Sequence, residues 1–297
     1  MQRFIVRRGV PLILALCAVG GAAQAAVYQA DYDEGQWQAT TPSPLQCELT
    51  HYIPRFGQAR FIHRAGEDTK FQIRPFRSAL KQGSVQLVAM APGWRPGSGT
   101  HQIGRVQFKT NDEWIKVGPG QTALMIESLR QGLMPSMLQE DRDHRIEARV
   151  ASISPLRFDE AYGRFQLCEA QLLPVNYDQI SNTVLNYASG ADTLTVQDKA
   201  MLDLIVRYIK ADPDVSYVFI DSHTDSRGTR RNNRQLSKNR ADMVLNYLIA
   251  RGLDQEMITS RYHGERYPVA SNATASGRAK NRRVTVRLEK ENEVNPL

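Results

Sequence analysis

The apolar residues of this chain change period once, around Leu173-Pro174-Val175, which restricts it to folds with two differently built halves. On the N-terminal side the pattern alternates. Lys70-Phe71-Gln72-Ile73-Arg74, Val85-Gln86-Leu87-Val88-Ala89-Met90, Arg105-Val106-Gln107-Phe108 and Arg145-Ile146-Glu147-Ala148-Arg149-Val150 all follow it. A repeat of two places one set of side chains on a single face of a strand, so these read as half-buried strands. Gly and Pro separate them, as at Ala91-Pro92-Gly93 and Arg95-Pro96-Gly97. One stretch, Thr122 to Gly132, has helical spacing, with Ile126 and Leu129 three apart and Gly132 as its stop. Residues 26–175 are therefore expected to form a β-rich domain, a partly open barrel or a sandwich.

The second half alternates strand and helix. Asn182 to Tyr187 reads as a strand, and Thr195-Val196-Gln197-Asp198 resembles a capping box with Asp in the third place. Leu202, Ile205, Val206 and Ile209 then make one helical face, and Pro213 follows. Ser216 to Asp221 is a strand, with a loop from Ser222 to Arg231. A second helix spans about Asn232 to Ala250, with Ala241, Val244, Leu245 and Leu248 inward and Gly252 at its end. Strands near Ile258 to His263 and Arg283 to Leu288 complete a β-α-β-α-β-β order. Such an order predicts an α/β domain over residues 176–297, a mixed sheet with helices on one face. The fold class is thus α+β with two domains.

The first 25 residues carry Arg3, Arg7 and Arg8 and no acid, then an apolar run from Val10 to Ala23 and the small residues Ala23 and Ala25. That run is shorter than the roughly 20 residues that span a bilayer, and the arrangement predicts a signal peptide cleaved after Ala25. Leu14-Ala15-Leu16-Cys17 offers a rival lipidation site, with an unfavourable bulky Leu16 before the cysteine. The formal charge is +7, from 38 Lys and Arg against 31 Asp and Glu. Removing the three leader arginines leaves 35 against 31, a mild excess that gives no case for a nucleic-acid binder. Export also changes the meaning of Cys47 and Cys168, the two cysteines beyond residue 25. An oxidising compartment favours a disulfide between them, tying the start of the first domain to its end.

Chemistry concentrates between Asp221 and Arg240. From Ser226 to Arg240 there are six basic residues (Arg227, Arg230, Arg231, Arg234, Lys238 and Arg240) and no acid, with Asp225 at the edge where a strand has ended. Open α/β sheets hold ligands at such strand ends. Asp225 can accept from an ammonium while Arg240 grips a carboxylate, as a ligand with a free amino-acid centre requires. The plainer reading is that the two pair with each other on a solvated face. Alternation of Asp221, His223 and Asp225 resembles a metal loop but lacks the glycine and distal Glu of an EF-hand. No nucleophile elbow, zinc helix, P-loop or dinucleotide fingerprint occurs. The expectation is a protein that is not an enzyme and uses no cofactor or metal.

Several blocks carry a resemblance: His223-Thr224-Asp225-Ser226, Asn233-Arg234-Gln235-Leu236-Ser237-Lys238-Asn239-Arg240-Ala241, Gly264-Glu265, Pro268, Asn272, and Gly277-Arg278-Ala279-Lys280-Asn281-Arg282-Arg283-Val284. Over residues 182–290 the chain resembles the OmpA-like peptidoglycan-binding domains. That resemblance implies Asp225 and Arg240 as the residues holding diaminopimelate of the stem peptide, with Thr224, Asn233 and Arg282 beside them. Ser222 stands where many members have glycine. Thr41 to Phe61, Pro92 to Gly97, Gly120 to Ala123 and Asp143 to Glu147 are similar to the MotY family of periplasmic flagellar-motor proteins. The second resemblance implies a part of the T ring at the flagellar basal body, acting with a MotX-like partner to retain the stator complex. An envelope-to-peptidoglycan linker unrelated to the flagellum is the alternative. Each ligand contact is expected to be exposed and individually weak.

Overall fold

The computed structural model describes residues 26–291 apart from 32–34, 77–79, 81, 96, 98, 110–112 and 140–148. The signal-peptide reading, the segment Asp143 to Glu147 and most of the strand expected from Arg145 lie outside the described residues.

Among the described residues the alternating half forms ten strands and two helices. In order they are β1 (Ala26–Tyr28), β2 (Trp37–Ala39), β3 (Gln46–Ile53), β4 (Gly57–Arg64), β5 (Lys70–Pro75), β6 (Gly83–Met90) and β7 (His101–Phe108). Then come β8 (Ile115–Val117), α1 (Pro119–Arg130), β9 (Met134–Gln139), β10 (Arg149–Ser152) and α2 (Phe158–Glu169). One five-stranded sheet runs β2-β3-β4-β5-β8 and is antiparallel throughout. The other runs β1-β10-β9-β6-β7, with its β1–β10 pair parallel. Among the described residues neither sheet closes on itself, and residues of both fill one core that includes Leu49, Phe61, Phe71, Val85, Leu87 and Ala151. The alternation read from the sequence is this shared inner face.

The two helices complete that core. Helix α1 starts at Pro119, three residues before the helical spacing becomes legible, because proline suits a first turn that needs no N–H. Helix α2 was not foreseen. Its Phe158, Ala161, Phe165 and Cys168 are buried at helical spacing, but the polar residues and Gly163 between them dilute the signal. Burying each of the two phenylalanines contributes about 1.5–3 kcal/mol. The last turn of α2 is bonded to β3 by the Cys47–Cys168 disulfide, with 6.0 Å between the Cα atoms and both sulfurs buried.

The second half contains α3 (Tyr177–Ile180), β11 (Asn182–Asn186), α4 (Val196–Ala211), β12 (Val215–His223), α5 (Arg230–Ala250), β13 (Ile258–Gly264), α6 (Ala275–Asn281) and β14 (Arg283–Lys290). Its sheet has the order β11-β14-β12-β13, mixed because β12 and β13 run parallel while the other pairs are antiparallel. The capping box forms as read: Thr195 Oγ1 accepts from the Asp198 N–H at 3.1 Å, and Asp198 Oδ2 accepts from the Thr195 N–H at 2.9 Å. Leu202, Ile205, Val206 and Ile209 of α4 and Ala241, Val244 and Leu248 of α5 are buried against Val218, Ile220, Val284, Val286 and Leu288. The outer face instead holds Phe219 beneath the guanidinium groups of Arg261 and Arg287. Short α6 was also missed; seven residues give periodicity too little to work on. Ala65 and Leu173 join this second core, and Leu173 N–H donates to Pro44 C=O at 2.8 Å, so the halves touch.

Candidate functional site

The chemistry sits where β12 ends. The strand continues two residues past the expected Asp221, to His223, and Thr224 N–H then donates to Gly264 C=O at 2.9 Å. Gly264 has φ +59 and closes on α5: a Cβ there would lie 3.3 Å from Arg234 N. Its N–H donates to Ser237 Oγ at 3.0 Å, so the helix and the end of β13 are fixed together. Thr229 caps α5 by accepting from the Asn232 N–H at 3.2 Å.

Asp225 is buried in the turn between them, only 5% exposed. Its Oδ2 accepts from Arg282 Nη1 at 2.9 Å and its Oδ1 from the Arg227 N–H at 3.1 Å. Arg282 also donates through Nε to Tyr187 C=O at 2.9 Å, which aims its guanidinium. Asn233, from the first turns of α5, donates through Nδ2 to Asp225 C=O at 3.3 Å and to Glu265 Oε2 at 2.6 Å. Behind the turn Asn281 accepts from the Val269 and Ala270 N–H groups and donates to Asn272 Oδ1, which accepts from the Ser226 N–H.

Arg240 is 0% exposed, the largest fully buried side chain among the described residues. It donates to Ala191 C=O at 2.7 Å, His223 C=O at 3.3 Å and Ala188 C=O at 3.3 Å, and lies 4.6 Å from the centre of the Tyr187 ring. Burial pushes this guanidinium below its ordinary value, and the nearby Arg282 charge adds to that. Three donations leave two of its five N–H groups, one on each terminal nitrogen.

All five residues expected at the site, Thr224, Asp225, Asn233, Arg240 and Arg282, therefore meet at one strand end. The pairing differs from the plainer reading of the sequence. Asp225 takes Arg282 as its ion-pair partner, not Arg240, and neither residue lies on a solvated face. The expectation of exposed, screened contacts is corrected with it, because both charges are out of water. Asp221 leaves the group: its carboxylate is held by Arg261 and His263, so the alternating acids do not converge. Among the described residues no cluster fits a metal ion.

Sequence reading missed Tyr187, which supplies a carbonyl to Arg282 and a ring to Arg240. Nothing in its context distinguishes it from a core tyrosine. Among the described residues, the buried side-chain polar atoms without a partner are Tyr187 Oη, Ser222 Oγ, His223 Nδ1 and Thr224 Oγ1. Burying an unmade hydrogen bond costs about 1–3 kcal/mol, and here four gather in residues at one end of one sheet. Burial lowers the His223 imidazole to about 4, helped by the Arg283 charge, and pushes the Tyr187 phenol up to about 12. The site thus combines a fixed carboxylate, two guanidinium groups and hydroxyls awaiting partners.

Residues 28–174 match the MotY N-terminal domain, and residues 186–282 match the OmpA family. Over 295 residues the chain is 33% identical to the sodium-type flagellar protein MotY of Vibrio parahaemolyticus, covering 97% of this chain and 98% of that one. Outer membrane protein A of Bordetella avium is 38% identical over 96 residues, 32% of this chain and 49% of that protein. Among solved structures, the peptidoglycan-associated lipoprotein of Burkholderia pseudomallei aligns with 36% of this chain and 89% of its own, at 25% identity and a TM-score of 0.34.

Proposed function

The chain belongs to the MotY family of flagellar motor proteins, and from that we propose that it is a non-enzymatic, periplasmic anchor between motor and cell wall. Residues 26–175 dock on the flagellar basal body as part of the T ring, with a MotX-like partner, and help to retain the stator complex. Residues 176–297 bind peptidoglycan through the diaminopimelate of its stem peptides. Export by residues 1–25 brings the chain to the periplasm.

The observation that carries the wall-binding reading is the placement of one buried carboxylate, ion-paired to Arg282, and the buried Arg240 guanidinium at a strand end rich in unfilled hydrogen bonds. Asp225 accepts one bond at each oxygen and has lone pairs left for an ammonium. The two spare N–H groups of Arg240 suit a carboxylate, and the Thr224 hydroxyl can bond to either end of the same amino-acid centre. Arg240 is covered by the turn carrying Ala188 and Ala191, so binding requires that turn to open. The charges a ligand meets there are poorly screened and therefore stronger than surface pairs. Many copies in a ring then turn modest single sites into lasting attachment.

Retention on isolated cell wall tests the reading. Asp225→Asn, checked for folding by its melting temperature, should wash off wall that holds the unaltered protein; undiminished retention overturns the site. Imaging basal bodies with and without the protein tests the motor half, through the loss of a ring.

A further inference from the structure

A second opening adjoins this site. A cavity of about 800 Å³ lies between the start of α5, which contributes Arg231 and Arg234, and the end of β13 with the segment beyond it, which contributes Tyr262, Arg266 and Tyr267. Its volume is that of a small-molecule pocket, roughly 300–1,000 Å³. The one acid of the lining, Glu265, is already engaged, accepting from Asn233 at 2.6 Å and lying 3.5 Å from Arg230 Nε. Arg231, Arg234 and Arg266 have no carboxylate partner among the described residues, and all three are exposed. Like charges lining one cavity without counter-charges repel one another, and an anion between them relieves that repulsion.

The aromatic rings restrict what kind of anion fits. Tyr262 and Tyr267 are 37% and 60% exposed. Arg234 sits 5.4 Å from the Tyr262 ring centre, and Tyr267 stands edge-on to His263 at 5.2 Å, which in turn stacks on His223 at 4.8 Å. The tyrosines are thus braced, each presenting a flat apolar surface with a polar tip. A compact inorganic anion would use the arginines alone. A sugar ring bearing an acid group uses both.

We propose that this cavity binds an acidic saccharide, its ring against the tyrosines and its carboxylate or phosphate on Arg231, Arg234 and Arg266. Such a group has two sources: a glycan strand whose lactyl carboxylates are bared by loss of the stem peptide, or the phosphorylated sugar of a membrane lipid. The proposal goes beyond stem-peptide binding and uses none of the residues assigned to it. Asn233 lies between the two places, donating to Asp225 C=O on one side and to Glu265 on the other.

The test titrates the full-length protein with short peptide-free glycan strands, tetra-N-acetylglucosamine and a bisphosphorylated glucosamine disaccharide, and separately with stem peptide alone. The acidic saccharides should bind, and the uncharged tetramer at least about tenfold more weakly, the loss of one charge-assisted contact. The triple variant Arg231→Gln, Arg234→Gln, Arg266→Gln should lose the acidic saccharides by about tenfold or more. Its melting temperature and its affinity for stem peptide should stay as they were. Tighter binding of the strands assigns the wall as the source and tighter binding of the bisphosphate assigns a lipid; either result upholds the cavity. Equal binding of the uncharged tetramer, equal binding by the triple variant, or no saccharide binding at all overturns it. Failure of the stem peptide alone would instead count against the Asp225 site.

Discussion

Arg282 Nη1 donates to Asp225 Oδ2 across 2.9 Å, so the acid at the end of β12 already has a guanidinium beside it before any ligand arrives. Both side chains are largely out of solvent, at 18% and 8% exposure. Their dependence on each other should be measurable. Arg282→Gln leaves a buried carboxylate without its cation and should destabilise the fold by about 3 kcal/mol. Adding Asp225→Asn should restore part of that, with a coupling of about 1–3 kcal/mol in a double-mutant cycle followed by urea unfolding. Strict additivity would show that the pair does not interact.

Arg240 is held by three backbone carbonyls and a ring, which makes it a structural donor as well as a candidate ligand contact. Arg240→Lys keeps the charge, but a compact ammonium cannot span the same fork of acceptors. Its unfolding midpoint should fall by an amount worth about 2–3 kcal/mol. An unchanged midpoint would place the side chain elsewhere.

The Cys47–Cys168 bond closes a loop of sequence separation 121. The chain-entropy argument gives such a loop about 4–5 kcal/mol. The Cys47→Ala/Cys168→Ala variant, or the native chain under strong reductant, should unfold at lower temperature in near-ultraviolet circular dichroism. Identical melting of the oxidised and reduced chains would contradict this.

Acid should weaken both halves through buried histidines. Burial lowers the His51 imidazole from 6.5 to about 4, against the raising effect of a hydrogen bond that Gln36 C=O accepts. Its Nδ1 faces that carbonyl at 3.1 Å and its Nε2 accepts from the Ser154 N–H at 3.5 Å, an arrangement that suits the neutral ring. As pH falls below 6.5 the unfolded chain takes up the proton first, so stability is full above 6.5 and declines until about 4. His223 is shifted in the same direction. The fall should approach about 1.4 kcal/mol per pH unit for each histidine. Urea midpoints at pH 7 and pH 5 measure it, and His51→Gln should flatten the slope; an equal slope in that variant removes His51 as a cause.

The sequence made the second half legible because its signals were redundant. Thr195 and Asp198 mark a helix start, Gly252 with φ +87 marks a helix end, and four apolar residues of α4 mark the buried face between. Helix α2 carried only its spacing, without a capping side chain, beginning after Arg157 in the left-handed region at φ +56. Of the site, Asp225 and Arg240 stood out as a carboxylate and a guanidinium near a strand end, whereas Thr224, Asn233 and Arg282 entered only through the resemblance. Its internal pairing was not legible. Which of two arginines meets Asp225 depends on where β11 and β14 place Tyr187 and Arg282, and that is a long-range matter of register.

The bridge between β3 and α2 also sets a path for mechanical load. Cys168 precedes Leu173, the first residue of the helix-to-core connection buried in the second half, by only five positions. Tension applied through the C-terminal sheet therefore enters the N-terminal one at an interior strand through a covalent shortcut. Helix α2 need not unravel for β3 to bear the strain.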